Sequence, residues 1–206
     1  METKSVKIKT EVIKEMEPFV QEQLHLLKPV EKSWQPSDLL PSLNSEDWPD
    51  QLEKFRQGNA DVRDELLAVL TGNMITEEAL PSYETWLGGL AGIGGHGGTS
   101  DSPWALWTRG WTSEENRHGD VLKTYLYLSG RVDMHSIEVT IQYLIKNGFD
   151  PSTGNDPYQG LVYTSVQERA TAISHNNTGK LAESCSDAVL AEMCARIGGD
   201  EARHER

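Results

Sequence analysis

The sequence has few cysteines, no long apolar run and a shortage of positive charge, and each shortage excludes a class of protein. Cys185 and Cys194 are spaced to lie on opposite faces of a helix, which favours reduced core residues over a disulfide. No apolar run approaches the ~20 residues of a membrane span, and residues 1–10 lack the apolar centre of a secretory signal. Lys and Arg number 19 against 32 Asp and Glu, so the net charge of −13 argues against nucleic acid or an anionic membrane as a general partner.

The length and composition are those of a globular protein with one sizeable core. The chain has 206 residues, of which 37% are hydrophobic and 25% charged. We therefore predict a single domain over residues 1–206. The helical periodicity that begins at about residue 61 predicts that residues 61–206 form the helices of a bundle, and residues 1–60 would form an N-terminal extension with an irregular segment.

The most informative stretch runs from Trp104 to His118, where an apolar helical stripe changes into a carboxylate and an imidazole. In steps of three or four residues it reads Trp104, Trp107, Trp111, Glu115 and His118. The same change occurs near the end of the chain, through Leu190, Cys194, Ile197, Glu201 and His204. Residues three apart are neighbours on a helix, so each Glu-x-x-His offers one carboxylate oxygen and one imidazole nitrogen to a common metal.

One Glu-x-x-His motif is weak support for a metal site, whereas two copies at the buried ends of apolar stripes favour one. The pair is the pattern of ferritin-like di-iron bundles, which add a glutamate from each of two further helices. The pattern therefore predicts an all-α, ferritin-like helix bundle and directs the search to two more glutamates.

Glu77 is the first candidate for an additional ligand. It continues a helical stripe formed by Leu66, Leu70 and Met74. Its neighbour Glu78 points about 100° away and should be an ordinary residue. Pro81 removes the hydrogen bond to the Glu77 carbonyl and should kink the helix there. From the residues alone, a surface glutamate at a kink is an equally good interpretation.

Glu168 is the second candidate, on a helix predicted over about 158–175 and separated from the last helix by an Asn-Asn-Thr-Gly loop. Glu168 and Thr171 share an inward face with Leu161 and Ser165. Thr171 could offer its hydroxyl to something bound at a metal, although spacing alone favours a threonine bonded to its own helix backbone. His175 is predicted not to be a ligand.

Turn and cap signals predict the other boundaries. A helix should start at Asp101 or Ser102 with Pro103 and stop at Gly130, and another should begin after Asp133 and end at Asn147 and Gly148. A short amphipathic helix is expected over 14–27, followed by an irregular connection over 34–49. The glycine-rich stretch 88–98 is predicted to be a loop with a solvated His96, because neither a preceding strand nor a following Gly-Lys-Ser/Thr supports a phosphate-binding site.

Long motifs in the chain resemble the soluble plastid acyl-carrier-protein desaturases, with the stearoyl type the most similar. The similarity covers nearly the whole sequence. Its motifs are V-E-K-S-W-Q-P, M-I-T-E-E-A-L-P-S-Y, T-S-E-E-N-R-H-G-D, Y-L-Y-L-S-G-R-V-D-M, T-S-V-Q-E-R-A-T and D-E-A-R-H-E.

The resemblance implies a role for each matching position. The di-iron ligands would be Glu77, Glu115, His118, Glu168, Glu201 and His204. Thr171 matches a threonine associated with oxygen activation, and Trp34 and Asp200 match residues proposed to carry electrons inward. The acyl pocket would include Trp86, Leu90, Pro151, Thr153, Gly160 and Leu161.

The activity that the resemblance implies is an oxygen-dependent removal of two hydrogens from adjacent methylenes of a saturated acyl chain. Two ferrous ions would be the cofactor, ferredoxin the electron donor and acyl carrier protein the carrier of the substrate. Both partners are acidic in that family, so this acidic chain would need a localised basic docking face. Plastid localisation and a homodimer are further implications, and the absence of a transit peptide predicts a mature or trimmed chain.

The sequence departs from the family pattern in three ways. Family members continue well past the second Glu-x-x-His, whereas this chain stops two residues after His204, which predicts fraying of the last helix. Gly198 and Gly199 stand where the family has better helix formers, and residues 88–98 are unusually rich in glycine. Trp86 stands where stearoyl enzymes have methionine, which predicts a different acyl length or double-bond position.

Two other functions fit the same ligand set. A ferritin-like iron-binding protein or ferroxidase would need neither an acyl pocket nor carrier docking. A desaturase fragment with all six ligands could also be catalytically silent.

Overall fold

The computed structural model describes residues 4–93 and 99–206, and within these ranges it contains helices and no strand. The nine α-helices are α1 (Lys4–Glu15), α2 (Glu17–Gln23), α3 (Trp48–Gly58), α4 (Asp64–Glu78), α5 (Leu80–Gly88), α6 (Pro103–Ser129), α7 (Met134–Asn147), α8 (Pro157–Ser184) and α9 (Ala188–His204). Short 3₁₀ turns occur at Leu24–Leu26, Val30–Lys32 and Pro36–Asp38. The predicted all-α bundle is confirmed.

The boundaries of α6 and α7 follow their sequence signals. The Ser102 side chain accepts a hydrogen bond from the Ala105 amide, and α6 ends at Gly130, whose φ of 66° is left-handed. Asp133 caps α7 by accepting from the Ser136 amide, and α7 ends at Gly148 with a φ of 76°. These ends were predictable because cap chemistry is local.

The predicted distortion near Glu77 is a complete break between two helices. Helix α4 ends at Glu78 and α5 begins at Leu80, with Pro81 in its first turn. A proline lacks the amide proton that would continue the α4 ladder. Glu77 therefore lies in the last turn of its helix.

The predicted boundary between the last two helices differs from the structure. The predicted loop at Asn-Asn-Thr-Gly is wrong, because α8 continues through it to Ser184. Gly179 is buried against α9, and a Cβ there would lie 3.1 Å from Cys194 Cβ, so this glycine permits a close helix crossing. Cys185 consequently ends α8 while Cys194 lies in α9, so the two do not share a helix, although both are free.

The N-terminal region is also more helical than predicted. The helix expected over 14–27 is divided between α1 and α2, because Pro18 lies in the first turn of α2. Helix α3 was not predicted, although its Phe55 is buried in the core. His96 lies outside the described residues.

The core consists of two apolar clusters with a polar layer between them. One cluster includes Met74 of α4, Val121 of α6 and Ile197 of α9. The other includes Leu80 of α5 and Trp111 of α6. The candidate ligands of α4 and α6 occur between these positions, so the helices that join the clusters carry the polar groups at the junction.

None of the helices in the described ranges is long and apolar enough to cross a membrane.

Candidate metal centre

Four helices bring the six predicted ligands together. One group of potential ligands comprises Glu77, Glu115, His118 and Glu201, and a second comprises Glu115, Glu168, Glu201 and His204. In each group the potential ligand atoms lie within 4.8 Å of one another. Glu115 and Glu201 belong to both groups, so the geometry is that of two adjacent cation positions sharing two carboxylates.

Both histidines face the carboxylates through Nδ1. His118 Nδ1 lies 3.2 Å from Glu115 Oε2, 3.3 Å from Glu201 Oε1 and 3.8 Å from Glu77 Oε2. His204 Nδ1 lies 2.5 Å from Glu115 Oε1 and 3.7 Å from Glu168 Oε2. The two imidazoles are stacked, with ring centroids 6.1 Å apart.

The donor atoms in the centre fit metal ions. Glu115 Oε1, Glu201 Oε1, His118 Nδ1 and His204 Nδ1 are buried without a hydrogen-bond partner in the described part of the chain. Buried polar atoms are normally paired, so atoms left available at a point of convergence indicate a ligand. Carboxylate and imidazole donors suit divalent transition metals, and the charges of four carboxylates balance two such ions.

The electrostatics show how strongly these acids and bases depend on one another. Burial disfavours charge on His118 and His204, but the surrounding carboxylates outweigh it and raise the pKa of both well above the usual value. Burial raises the pKa of Glu168 to about 8, and burial with nearby carboxylates raises that of Glu201. Burial would also raise the pKa of Glu77, but the imidazoles of His118 and His175 hold it at about 2. A bound cation would replace the protons that this cluster shares.

A carboxylate stands behind each candidate histidine ligand. His118 Nε2 lies 3.5 Å from Asp200 Oδ2, and His204 Nε2 lies 3.1 Å from Glu114 Oε2. The acid immediately before each Glu-x-x-His therefore lies beside the histidine of the other motif, and the contact between Glu114 and His204 is a hydrogen bond. Such carboxylate–histidine pairs fix the ring orientation of a ligand.

The two glutamates that belong to only one group are held by other side chains. Trp111 Nε1 donates to Glu168 Oε1 at 2.9 Å. His175 Nε2 lies 2.8 Å from Glu77 Oε1. His175 was predicted not to be a ligand, and it belongs to neither ligand group.

Trp34 contacts both Asp200 and the candidate ligand His118. Trp34 is 8% exposed, and its Nε1 donates to Asp200 Oδ2 at 2.8 Å. Lys28, Arg117 and Arg203 also donate hydrogen bonds to Asp200. Burial would raise the pKa of Asp200, but His118, Lys28 and Arg203 outweigh burial and hold the pKa below the usual range. The Trp34 ring is stacked on the His118 ring at a centroid distance of 6.0 Å.

The Thr171 hydroxyl bonds to its own helix. It donates to the backbone carbonyls of Gln167 and Glu168 at 3.1 and 2.9 Å. This is the arrangement that spacing alone favoured. A role for Thr171 at the centre remains a prediction.

An apolar cavity of about 200 Å³ adjoins the centre at Glu168. Its aromatic walls include Tyr83, Trp86, Phe149 and Tyr163. The Trp86 ring meets Phe149 and Tyr163 edge to face, with centroid distances of 5.5 and 5.6 Å. The indole therefore closes part of the cavity with rigid groups.

Trp86 is the one predicted pocket residue in the lining of this cavity. Leu161 lines a second cavity of about 250 Å³ beside His204. Leu90 packs against Gly160, where a Cβ would meet Leu90 Cδ1. Pro151 and Thr153 precede α8 and are half-buried.

The end of α9 has contacts that oppose fraying. Ser165 Oγ donates to the Glu205 carbonyl at 3.1 Å, and Arg203 Nη1 donates to the Leu26 carbonyl at 2.9 Å. These contacts tie the helix end to α8 and to the turn after α2.

Sequence reasoning missed Glu114, Trp111 and His175 as groups that support the ligands. Each acts on a ligand from another helix, so no spacing rule connects the pair. A signal existed for Glu114, since an acid precedes both Glu-x-x-His motifs.

Fold and site together define an all-α protein with a buried carboxylate and histidine cluster suited to two metal ions. The fatty acid desaturase family model matches residues 8–206, and the chain belongs to this family. It is similar to stearoyl-acyl-carrier-protein 9-desaturase 5, chloroplastic, of Arabidopsis thaliana, with 56% identity over 198 residues, or 96% of this chain and 50% of the relative.

Two further relatives show the same coverage. They are the chloroplastic stearoyl-acyl-carrier-protein 9-desaturase of Spinacia oleracea and the chloroplastic acyl-acyl-carrier-protein desaturase of Cucumis sativus, each 54% identical over 96% of this chain and 50% of the relative. The chain thus spans about half the length of the curated relatives it matches.

Proposed function

We propose that this chain carries the di-iron centre of a desaturase that introduces a double bond into a saturated acyl chain borne by acyl carrier protein. The observation that carries the proposal is the pair of four-residue ligand groups that share Glu115 and Glu201. Glu77 and His118 would complete one iron site, and Glu168 and His204 the other. The activation of O₂ for cleavage of unactivated C–H bonds, which side chains cannot supply, would come from the bound iron pair.

The protein's own residues would hold the substrate and exclude water. The aromatic cavity beside Glu168 supports an acyl substrate, because its walls are apolar and one end reaches the centre. A ferroxidase has no need of such a cavity. Trp86 would limit the length of chain that fits, and Leu90, Pro151, Thr153, Gly160 and Leu161 would shape the surroundings of the pocket.

Electrons would enter through Trp34 and Asp200 to His118, from ferredoxin. The stacked rings and the Trp34–Asp200 hydrogen bond support this path. Thr171 lies one turn after Glu168, and rotation of its hydroxyl away from the helix backbone would let it donate a proton near the centre.

The proposal extends to the setting of the protein. The relatives are named chloroplastic, which supports a plastid location. We also propose that residues 1–206 form one domain, since α1 contacts α8 and α2 contacts α6. A homodimer is proposed on the family resemblance.

An anaerobic titration of the chain with Fe²⁺ tests the metal centre. We expect two ions per chain, detected by Mössbauer spectroscopy as a coupled pair after oxygen exposure. Glu115→Ala should weaken the binding of both ions because Glu115 belongs to both groups. Glu78→Ala should leave the binding of both unchanged because Glu78 pairs with Lys123 outside the centre.

Product analysis then separates the activities. An unsaturated acyl chain formed from acyl carrier protein, ferredoxin and O₂ supports the desaturase. Iron oxidation without such a product would favour a ferroxidase. A folded chain that binds no iron would refute the proposed centre.

A further inference from the structure

His175 is a buried histidine that the proposed chemistry does not use. It is 1% exposed, and its Nε2 lies 2.8 Å from Glu77 Oε1. It follows Glu168 by two helical turns on α8, so the two side chains lie on the same face. Helix α8 thus reaches one ligand group directly through Glu168 and the other indirectly through Glu77.

Glu77 needs such a partner more than a ligand in the middle of a helix. It lies in the last turn of α4, one residue before the helix ends. Its other close contact is the candidate co-ligand His118, whose Nδ1 is 3.8 Å from Oε2. Without His175, no other side-chain hydrogen bond described in the structure would fix the carboxylate.

The second ligand group has an equivalent contact of different chemistry. Glu168 Oε1 accepts from the indole of Trp111 at 2.9 Å, while Glu168 Oε2 faces His204 Nδ1 at 3.7 Å. In both groups, one oxygen of the unshared glutamate is held by an aromatic ring nitrogen and the other faces the histidine. The repetition indicates that the contact serves the ligand geometry.

The position of His175 is itself fixed. One turn before Glu77, Asn73 Oδ1 accepts from Ser174 Oγ at 2.9 Å, and Asn73 Nδ2 donates to Thr178 Oγ1 at 3.2 Å. These bonds join α4 to α8 on both sides of His175. The imidazole is therefore presented to Glu77 at a set register, as a supporting group must be.

We propose that His175 is a positioning residue, which holds Oε1 of Glu77 so that Oε2 is directed to the metal position shared with His118. The inference rests on the proposed metal centre. Loss of a supporting hydrogen bond of this kind lowers metal affinity by about 10- to 100-fold. The loss should be confined to the ion bound by Glu77 and His118.

The test is an anaerobic Fe²⁺ titration by calorimetry of four single variants and of the Glu77→Ala/His175→Phe double variant. His175→Phe removes the ring nitrogen, and His175→Gln returns an N–H donor at a similar reach. His135→Phe is the matched control, because His135 is an exposed histidine of α7. Glu77→Ala identifies the ion that this group binds, and far-UV circular dichroism confirms that each variant is folded.

We expect the affinity for one of the two ions to fall about 10- to 100-fold in His175→Phe. This affinity should recover in His175→Gln and be unchanged in His135→Phe. In the Glu77→Ala background, His175→Phe should have no further effect on the remaining ion. Equal weakening of both ions, or an added loss in the Glu77→Ala background, would overturn the inference.

If His175→Phe does not fold, His175→Leu replaces it as the variant without a ring nitrogen. Weaker binding of one ion in His175→Leu, with recovery in His175→Gln, supports the inference, and wild-type affinity for both ions in His175→Leu overturns it. A wild-type chain that binds no iron refutes the proposed centre and this inference together. If the wild-type chain binds two ions and replacing His175 changes neither affinity, this inference is refuted while the proposed centre is not.

Discussion

Replacing Gly119 with alanine is expected to push α4 away from α6 at the metal centre. A Cβ at Gly119 would lie 2.8 Å from Glu78 Oε1, 3.3 Å from the Glu78 amide nitrogen and 3.4 Å from the Glu77 carbonyl carbon. The Glu78 side chain can rotate away, but the two backbone atoms cannot. The helices must therefore separate by a few tenths of an ångström.

Gly199→Ala provides the matched control for this change. Gly199 is an exposed glycine of α9, and no atom lies within 4 Å of the position that an alanine Cβ would occupy there. Alanine favours a helix by about 1 kcal/mol over glycine at either position, so this gain cancels between the two variants. What remains is the overpacking at Gly119, which costs about 1–3 kcal/mol.

The assay is thermal unfolding of both variants followed by circular dichroism. Each 1 kcal/mol shifts the melting temperature of a chain of this size by about 2–4 °C, so Gly199→Ala should melt above wild type and Gly119→Ala at least about 2 °C below Gly199→Ala. Equal melting temperatures would refute the close approach of α4 and α6. Under the proposed function, Gly119→Ala should also lower the affinity for the ion that Glu77 binds.

Three further outcomes are expected. Trp86→Met should enlarge the aromatic cavity and change the preferred acyl length in product analysis of the proposed desaturase; an identical product distribution would count against the role of the indole. Burial raises the pKa of the Cys194 thiol to about 12, so a thiol reagent should label only the half-buried Cys185 in the native chain but both cysteines in denaturant, and rapid labelling of both in the native chain would contradict the packing. Tyr125→Phe removes a buried hydroxyl that donates to Asp187 at 2.5 Å and should lower the free energy of unfolding by about 1–3 kcal/mol in urea titrations; an unchanged midpoint would show that this bond adds no stability.

The sequence predicted those parts of the fold that depend on local chemistry. Ser102 with Pro103, and Asp133, mark helix starts whose caps the structure contains. The wrong loop at Asn-Asn-Thr-Gly shows the limit of such signals. Gly179 has the composition of a turn, but its missing side chain serves the contact between α8 and α9, which only the tertiary structure reveals.

The six candidate ligands could be predicted from the sequence because helical periodicity places each one on a stripe of core residues. The groups that support them were not, since Trp111 and His175 meet their glutamates across helix interfaces. Thr171 illustrates a third case, in which local reasoning described the hydrogen bond and the resemblance alone suggested a function. The pocket residues were least predictable, because cavity walls depend on how loops and helix ends pack.

Metal binding in the polar layer between the two apolar clusters should stabilise the folded chain and so determine how long it survives. Without metal, the acids of this buried layer limit their repulsion only by sharing protons with one another and with the imidazoles, so the metal-free protein is frustrated where its two cores meet. An ion present at one hundred times its dissociation constant would add about 2.7 kcal/mol of stability per site. Under the proposed function, we expect iron-free chains to unfold and be degraded sooner than iron-loaded ones, so that the abundance of this protein follows the iron available when it is made.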